Sequence, residues 1–479
     1  MDVVAFSAAD LSDAVHAKTV SCREVMAAYL DRIESRNATF NAIVSLRPRD
    51  ELLAEAAACD EEIAAGLSRG WMHGMPLAVK DLAETKGLRT TSGSPLLADF
   101  VPGYDCLMVA RMKRAGCIVI GKTNVPEFGL GSHSFNPVFG TTGNAYDPTR
   151  SAGGSSGGAA VALATSMVPI ADGSDYMGSL RNPAAWNNVF GFRPSQGRVP
   201  RWPALDAYLS QMSTEGPMGR TVLDVALLLG TQSGPDRRVP IALDSRLDEL
   251  DTVASARGAL VGDITGLRVG WLGDLGGHLA MEPGVIDACR SGLVRMESAG
   301  CTVDDVMFSM APERVWSAWL TWRFQAIAAR IAPLIADPGR REHVKPEALW
   351  EFDHGVELTA TEFSRAARDR TTFHTAMVDL FRDVDVLAIP SAQVWPFPAE
   401  QRWPQHIGDR EMDTYHRWME VTIYATFAGL PAISVPVGFD QRGLAMGMQL
   451  IGPPRGDLDV LRAARAYEQT IGSLAVGAA

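Results

Sequence analysis

Gly153-Gly154-Ser155-Ser156-Gly157-Gly158 sets two hydroxyls among four glycines and runs straight into the apolar segment 159–165. Glycine lets backbone approach a ligand closely and take positive φ, and a helix beginning there offers unpaired N–H groups to negative charge. A flexible Gly-Ser linker would not lead into a buried helix. The run therefore reads as the end of a long ordered loop, residues 135–158, dense in Gly, Asn, Pro, Ser and Thr. Loops of that length inside a compact chain are usually functional.

Working upstream, Met75, Leu77 and Val79 alternate with other residues up to Lys80-Asp81, which places Lys80 at the end of a predicted strand. Residues 117–122 read as a second short buried strand after a helical pattern over 107–115. Residues 21–36 space Val25, Met26, Tyr29, Leu30 and Ile33 as one helix face, with Ser21 as N-cap and Glu24 three positions on, and an Ala-rich helix follows over 51–65. Downstream, 222–229 reads as a buried helix. The polar stretch 233–265 ends at a strand over 267–272 and marks a candidate lobe boundary. Residues 312–381 form a helical insert whose Trp316, Trp319 and Trp322 share one face, an aromatic core stripe in preference to a substrate wall. Strands over 384–389, 432–437 and 446–451 and a closing helix over 457–469 complete the pattern. Such interleaving predicts an α/β fold layered on a sheet.

With 47% hydrophobic and 21% charged residues, the chain has the balance of a folded globule. A net charge of -12 without a basic run argues against nucleic acid, which needs clustered positive charge. Six scattered cysteines form no C-x-x-C pair, so free thiols in a reducing compartment are expected. The start Met1-Asp2-Val3-Val4-Ala5-Phe6 lacks the pattern of a secretory signal. The apolar stretch 159–171 contains Thr165, Ser166 and Pro169 and falls short of the ~20 residues that span a bilayer. A cytoplasmic protein with no membrane partner is expected. There is no H-E-x-x-H or comparable ligand pair, so no metal is proposed. His73 and His133 are read as structural, with a place in the cleft as the alternative.

Two motifs carry chemistry. Gly153–Gly157 matches the G-x-S-x-G nucleophile elbow of α/β-hydrolases, but that elbow needs a strand just before the serine, and Pro148 removes a ladder donor there. The second Gly-Ser site is Asp175-Tyr176-Met177-Gly178-Ser179-Leu180-Arg181-Asn182-Pro183. Together with the first loop and with Gly74-Met75-Pro76-Leu77-Ala78-Val79-Lys80-Asp81, it resembles the amidase signature family. Gly121-Lys122-Thr123-Asn124-Val125-Pro126-Glu127-Phe128, Gly216-Pro217-Met218-Gly219-Arg220-Thr221-Val222 and Ala428-Gly429-Leu430-Pro431-Ala432-Ile433-Ser434-Val435-Pro436 extend the resemblance to nearly the whole chain. Lys80 precedes Ser155 by 75 residues and Ser155 precedes Ser179 by 24, as in the family pattern.

The resemblance implies a large mixed β-sheet flanked by helices, one domain over 1–479 with a helical segment over 1–66 and the 312–381 insert bordering the cleft. It assigns Ser179 as nucleophile, Ser155 as a bridging serine on a cis peptide, and Lys80 as base. It also assigns the backbone of Tyr176, Met177, Gly178 and Ser179 to an oxyanion hole, and places the backbone of Gly129 against the substrate. Ser156, Asp175 and Arg181 are candidates to support these groups. A serine hydroxyl needs a neighbour to take its proton, and a lysine acting as base near neutrality must fall about three pH units from ~10.4, roughly 4 kcal/mol of disfavoured charge. The family usually has Gly-Gly before the nucleophile. Met177 here either forbids positive φ or projects a side chain beside the acyl group.

No cofactor is expected. The expected substrate is a small-molecule amide, hydrophobic or aryl, with carbamates (a urethanase activity) and esters as possible side activities, and with Met177, Trp202 and the insert as walls. A charged amide would need a counter-charge, for which Arg181 and Arg323 are the candidates. A monomer or homodimer resembling stand-alone bacterial amidases and aryl acylamidases is expected. The alternatives are a glutaminase component of a tRNA amidotransferase complex and a catalytically dead binding module on the same scaffold.

Overall fold

The structure is a computed structural model and describes residues 2–209 and 212–472; Met1 and residues 473–479 of the expected 1–479 span lie outside them. An α-helix Ala8–His16 comes first, and the helix Cys22–Phe40 that follows begins with a capping box: the Ser21 hydroxyl accepts from the Glu24 amide at 3.1 Å, and the Glu24 carboxylate accepts from the Ser21 amide at 2.8 Å. Val25, Met26, Tyr29, Leu30 and Ile33 are all buried along one face. A small sheet follows, made of β1 (Ile43–Val44), β2 (Pro76–Lys80) and β3 (Ile118–Thr123), with β3 central, antiparallel to β1 and parallel to β2.

The large sheet has eight strands: β4 (Ala171–Asp175), β5 (Phe190–Arg193), β6 (Thr214–Gly219), β7 (Arg268–Trp271), β8 (Thr302–Asp305), β9 (Val386–Pro390), β10 (Ala432–Phe439) and β11 (Ala445–Ile451). Their spatial order is β8-β7-β9-β11-β10-β5-β6-β4, with β7 parallel to both β8 and β9 and the remaining neighbours antiparallel. Helices flank it, so the chain has the mixed α/β architecture that the resemblance implies. Strands on both sides of the polar stretch 233–265 enter this one sheet.

Four of these strands, β4, β5, β6 and β8, are not among those read from the sequence, and β4 and β6 in particular escape a reading by alternation. β4 reads Ala-Asp-Gly-Ser-Asp and β6 reads Thr-Glu-Gly-Pro-Met-Gly, a composition that normally marks loops. Tertiary pairing overrides it, and burial brings polar side chains inward instead of outward. Within the expected loop 135–158, residues 157 and 158 belong to the helix Gly157–Ala164, which is buried throughout, and the rest carries one two-residue ribbon, Phe135–Asn136 with Gly140–Thr141, and isolated bridges from Gly143 to Ser151 and from Arg150 to Pro398. Small residues let that helix press close to its neighbours. The two sheets meet where the Lys80 amide at the end of β2 donates to Asp172 Oδ1 of β4 at 3.2 Å. The insert folds as the helices Pro312–Ile331, Pro346–Val356 and Ala360–Leu380. Trp316, Trp319 and Trp322 are buried, and Trp319 packs on Tyr176 and Phe427 with ring centroids 5.4 and 5.9 Å apart. Among the described residues, no helix is long and apolar enough to cross a membrane.

Candidate active site

Lys80 ends β2 with its side chain buried. Its Nζ donates to Ser155 Oγ at 2.9 Å, Ser156 Oγ at 2.8 Å, Ser174 Oγ at 3.0 Å and the Ser174 carbonyl at 3.2 Å. All four acceptors are uncharged oxygens. Burial lowers the lysine to about 7, against a weaker opposing pull from Asp172 and Asp175. A substantial neutral fraction near pH 7 follows, and a neutral Nζ at 2.9 Å can accept the Ser155 hydroxyl proton. The peptide Gly154–Ser155 is cis.

Ser179 follows β4 on a tight turn. Gly178 has φ +81, and a Cβ there would lie 2.5 Å from Thr422 Cγ2, so only glycine fits. Met177 is not among the residues of positive φ; its side chain lines the cleft, with Sδ 3.9 Å from Arg323 Nη1. Met177 thus avoids positive φ and also lines the cleft, so the two possibilities are not exclusive here. The Gly178 amide departs from its expected role: it donates to Asp175 Oδ1 at 3.0 Å, while the Leu180 amide donates to Oδ2 at 3.2 Å. An ionised carboxylate in reach is the strongest acceptor available to it. Arg181 grips the same carboxylate at two points, Nε to Oδ2 at 3.0 Å and Nη2 to Oδ1 at 2.9 Å, and Arg193 Nη1 lies 3.3 Å from Oδ1. Burial opposes the charge on Asp175, but the two guanidiniums overcome it and hold the carboxyl well below the usual range. The Ser156 amide donates to the Ser179 carbonyl at 3.2 Å, which ties the two Gly-Ser sites together. Among the described residues, Ser179 Oγ makes no hydrogen bond, and it faces the cleft.

The cleft opens into a cavity of about 480 Å³ whose walls include Leu82, Phe128, Met177, Leu205, Ile327 and Leu334. Gly129 lines it at φ +69, and a Cβ there would come 2.7 Å from Leu82 Cδ1 and 3.3 Å from Ser155 Oγ. The insert contributes Ala326, Ile327, Arg330 and Leu334. Among the described residues, no tryptophan lines the cavity: the stripe of the insert is buried in the core, and the neighbours of Trp202, Pro203 to Leu205, line the cavity in its place. Of the two candidate counter-charges, Arg323 lines the cavity, and both are already paired with other groups. Arg181 is spent on Asp175, Thr422, Thr426 and Gln449. Arg323 is buried and donates to Glu351 Oε1 at 2.7 Å and to the Tyr415 hydroxyl at 2.8 Å. The cations lining the chamber around Lys80 are Arg201 and Arg330, the latter donating to the Phe128 carbonyl at 2.8 Å.

Ser174, Asp172, Glu215, Arg193 and Arg330 belong to this site, and sequence reasoning does not single them out. The one signal for them in the sequence is Gly173-Ser174-Asp175, just ahead of the second Gly-Ser motif. His133 is buried, its Nε2 on the Ala399 carbonyl at 2.9 Å and its Nδ1 on Ser151 Oγ at 2.8 Å. His73 bonds the Cys59 carbonyl at 2.9 Å and the Arg69 amide at 3.2 Å. Among the described residues, Cys59, Glu62 and His73 are the one group close enough together to hold a metal ion. Glu62 there already pairs with Arg69 Nε at 2.8 Å. All six cysteines are free and buried.

A family model described as Amidase matches residues 24–461. A glutamyl-tRNA(Gln) amidotransferase subunit from Thermus thermophilus is 36% identical over 94% of both chains. Among solved structures, a bacterial aryl acylamidase of the amidase signature family superposes with a TM-score of 0.90 at 30% identity, covering 99% of both chains. The corresponding glutamyl-tRNA(Gln) amidotransferase subunit from Thermotoga maritima gives a TM-score of 0.73 at 28% identity, over 94% of this chain and 91% of its own.

Proposed function

The chain belongs to the amidase signature family, and from that premise we propose that it hydrolyses carbon-nitrogen acyl bonds of hydrophobic or aryl amides through an acyl-enzyme on Ser179. The observation that carries the reading is Lys80 Nζ, buried among uncharged oxygens and 2.9 Å from Ser155 Oγ, in the chamber that also holds Ser179. Ser179 Oγ attacks the acyl carbon while its proton passes to Ser155 and the Ser155 proton passes to neutral Lys80. Collapse breaks the C–N bond, and the proton returns through Ser155 to the leaving nitrogen. Water then cleaves the ester by the same relay. Backbone N–H groups of Tyr176, Met177 and Ser179 are the donors proposed for the oxyanion; Gly178 serves by holding Asp175, which with Arg181 fixes the turn.

The apolar walls of the cavity and the similarity to an aryl acylamidase support a hydrophobic or aryl acyl partner, with esters and carbamates as side activities. The identity to the amidotransferase relatives supports a second reading, a glutaminase working inside a complex, for which Arg201 and Arg330 would hold a carboxylate. Comparing kcat/KM for an anilide, a carbamate and glutamine separates the two. A glutamine value above the anilide value, or ammonia release only with partner chains present, would overturn the first.

A further inference from the structure

Glu215 lies beside the relay, and no step of the relay uses it. In the β4–β6 ladder it stands directly opposite Ser174, and opposed residues of antiparallel strands project to the same face. Ser174 Oγ on that face takes the Lys80 ammonium at 3.0 Å, and Asp172, two residues back, takes the Lys80 amide. Glu215 is thereby held on the relay side of the ribbon. Its side chain lines a chamber of about 50 Å³ bounded also by Lys80, Ser155, Asp172, Ser179 and Arg201. The residue is only 7% exposed, and among the described residues its Oε2 is buried without a hydrogen-bond partner. A buried carboxyl oxygen left unpaired is costly unless water or a ligand takes it.

Size decides what that occupant is. A water needs about 10–15 Å³ of such space, so the chamber takes a few waters and no aromatic ring. The acyl and aryl groups belong in the adjoining 480 Å³ cavity, which shares Ser179, Gly129, Tyr176 and Arg201 with the chamber but not Glu215 or Lys80. We propose that the chamber is the water subsite of the reaction, in which Glu215 accepts a hydrogen bond from the water that cleaves the acyl-enzyme and holds it for attack. The inference rests on the acyl-enzyme reading. The water oxygen bonds to the acyl carbon as one water proton passes to Ser155 and the Ser155 proton to Lys80. Collapse breaks the bond to Ser179 Oγ, which recovers a proton through Ser155, and the carboxylic acid leaves. Glu215 gives up and gains no proton. Burial lifts it to about 7, opposed by Arg201, and an acceptor oxygen is present in either of its states.

The test uses the full-length enzyme, Glu215→Leu, and a 4-nitrophenyl ester as probe, with acylation followed as the nitrophenol burst and deacylation as decay of the Ser179 adduct by mass spectrometry. Wild-type burst rate, a deacylation about tenfold slower or more, and rescue of turnover by hydroxylamine, which takes the acyl group in place of water, are expected. Glu215→Gln keeps an acceptor oxygen and should retain most of the deacylation rate. Glu215→Ala carries the same expectations as Leu where Leu does not fold. Equal losses in acylation and deacylation, or no loss in either, would overturn the proposal. Absence of any Ser179 adduct in the wild type would sink the underlying acyl-enzyme reading instead.

Discussion

Two buried charge clusters meet on the short strand β4 and are built to opposite ends. At Ser174 the Lys80 ammonium meets only hydroxyls and a carbonyl, and burial drives it toward the neutral form. One residue on, Asp175 is equally buried but gripped by Arg181 and Arg193, and it stays ionised. Burial alone does not decide whether a group keeps its charge; the charge of its nearest partners does. The first cluster trades stability for a reactive base, and the second holds the turn that presents Ser179.

Replacing each partner in turn should break this asymmetry. Lys80→Met is expected to lower kcat about 10³-fold or more while leaving the melting temperature unchanged or higher. The folded-state value of about 7 lies below the ~10.4 of the unfolded chain. Lys80 therefore opposes folding fully below pH 7, and that cost fades as pH rises from about 7 toward ~10.4. The gain in melting temperature should be largest at low pH; a large loss would instead make Lys80 a structural partner. Asp175→Ala should do the reverse and lose about 3–5 kcal/mol of stability in urea titration, because two buried guanidiniums are left unpaired. Its depressed value means that this stability persists down through ordinary carboxylate titration and fails only in strong acid. Unchanged stability would remove the contrast between the clusters.

A finer effect is expected on the pH profile. If neutral Lys80 is the base, kcat/KM rises about tenfold per pH unit below about 7 and levels above it, whereas a flat profile from about pH 5.5 to 8.5 would contradict the assignment. The smallest effect is expected from chelation. EDTA should leave activity intact, since the relay supplies base and electrostatic stabilisation from side chains and backbone, and inhibition reversed by zinc would overturn the mechanism.

Local signals make much of this legible in the sequence. The Ser21–Glu24 capping box, the strand ending at Lys80 and the apolar pattern of β9 to β11 each rest on residues that interact within one element, and each is found in place. β4 and β6 are not legible, because their Asp, Ser, Glu and Gly residues pair across strands and carry no alternation of their own. Asp172, Ser174 and Glu215 stay hidden with them, and Arg193 on the neighbouring strand has no motif to mark it. Trp316, Trp319 and Trp322 are legible in part: helical spacing places them on one face and favours core, and all three are buried, with Trp319 packed on Tyr176 and Phe427. The engagement of the Gly178 amide with Asp175 is likewise a three-dimensional fact that no motif prints.

Which serine attacks decides the mechanism. Incubation with a fluorophosphonate probe followed by peptide mass spectrometry should place a single adduct on Ser179, and Ser179→Ala should abolish both labelling and turnover. An adduct on Ser155 would contradict the account, because it would make the Gly153–Gly157 run a nucleophile elbow and leave Ser179 without a role.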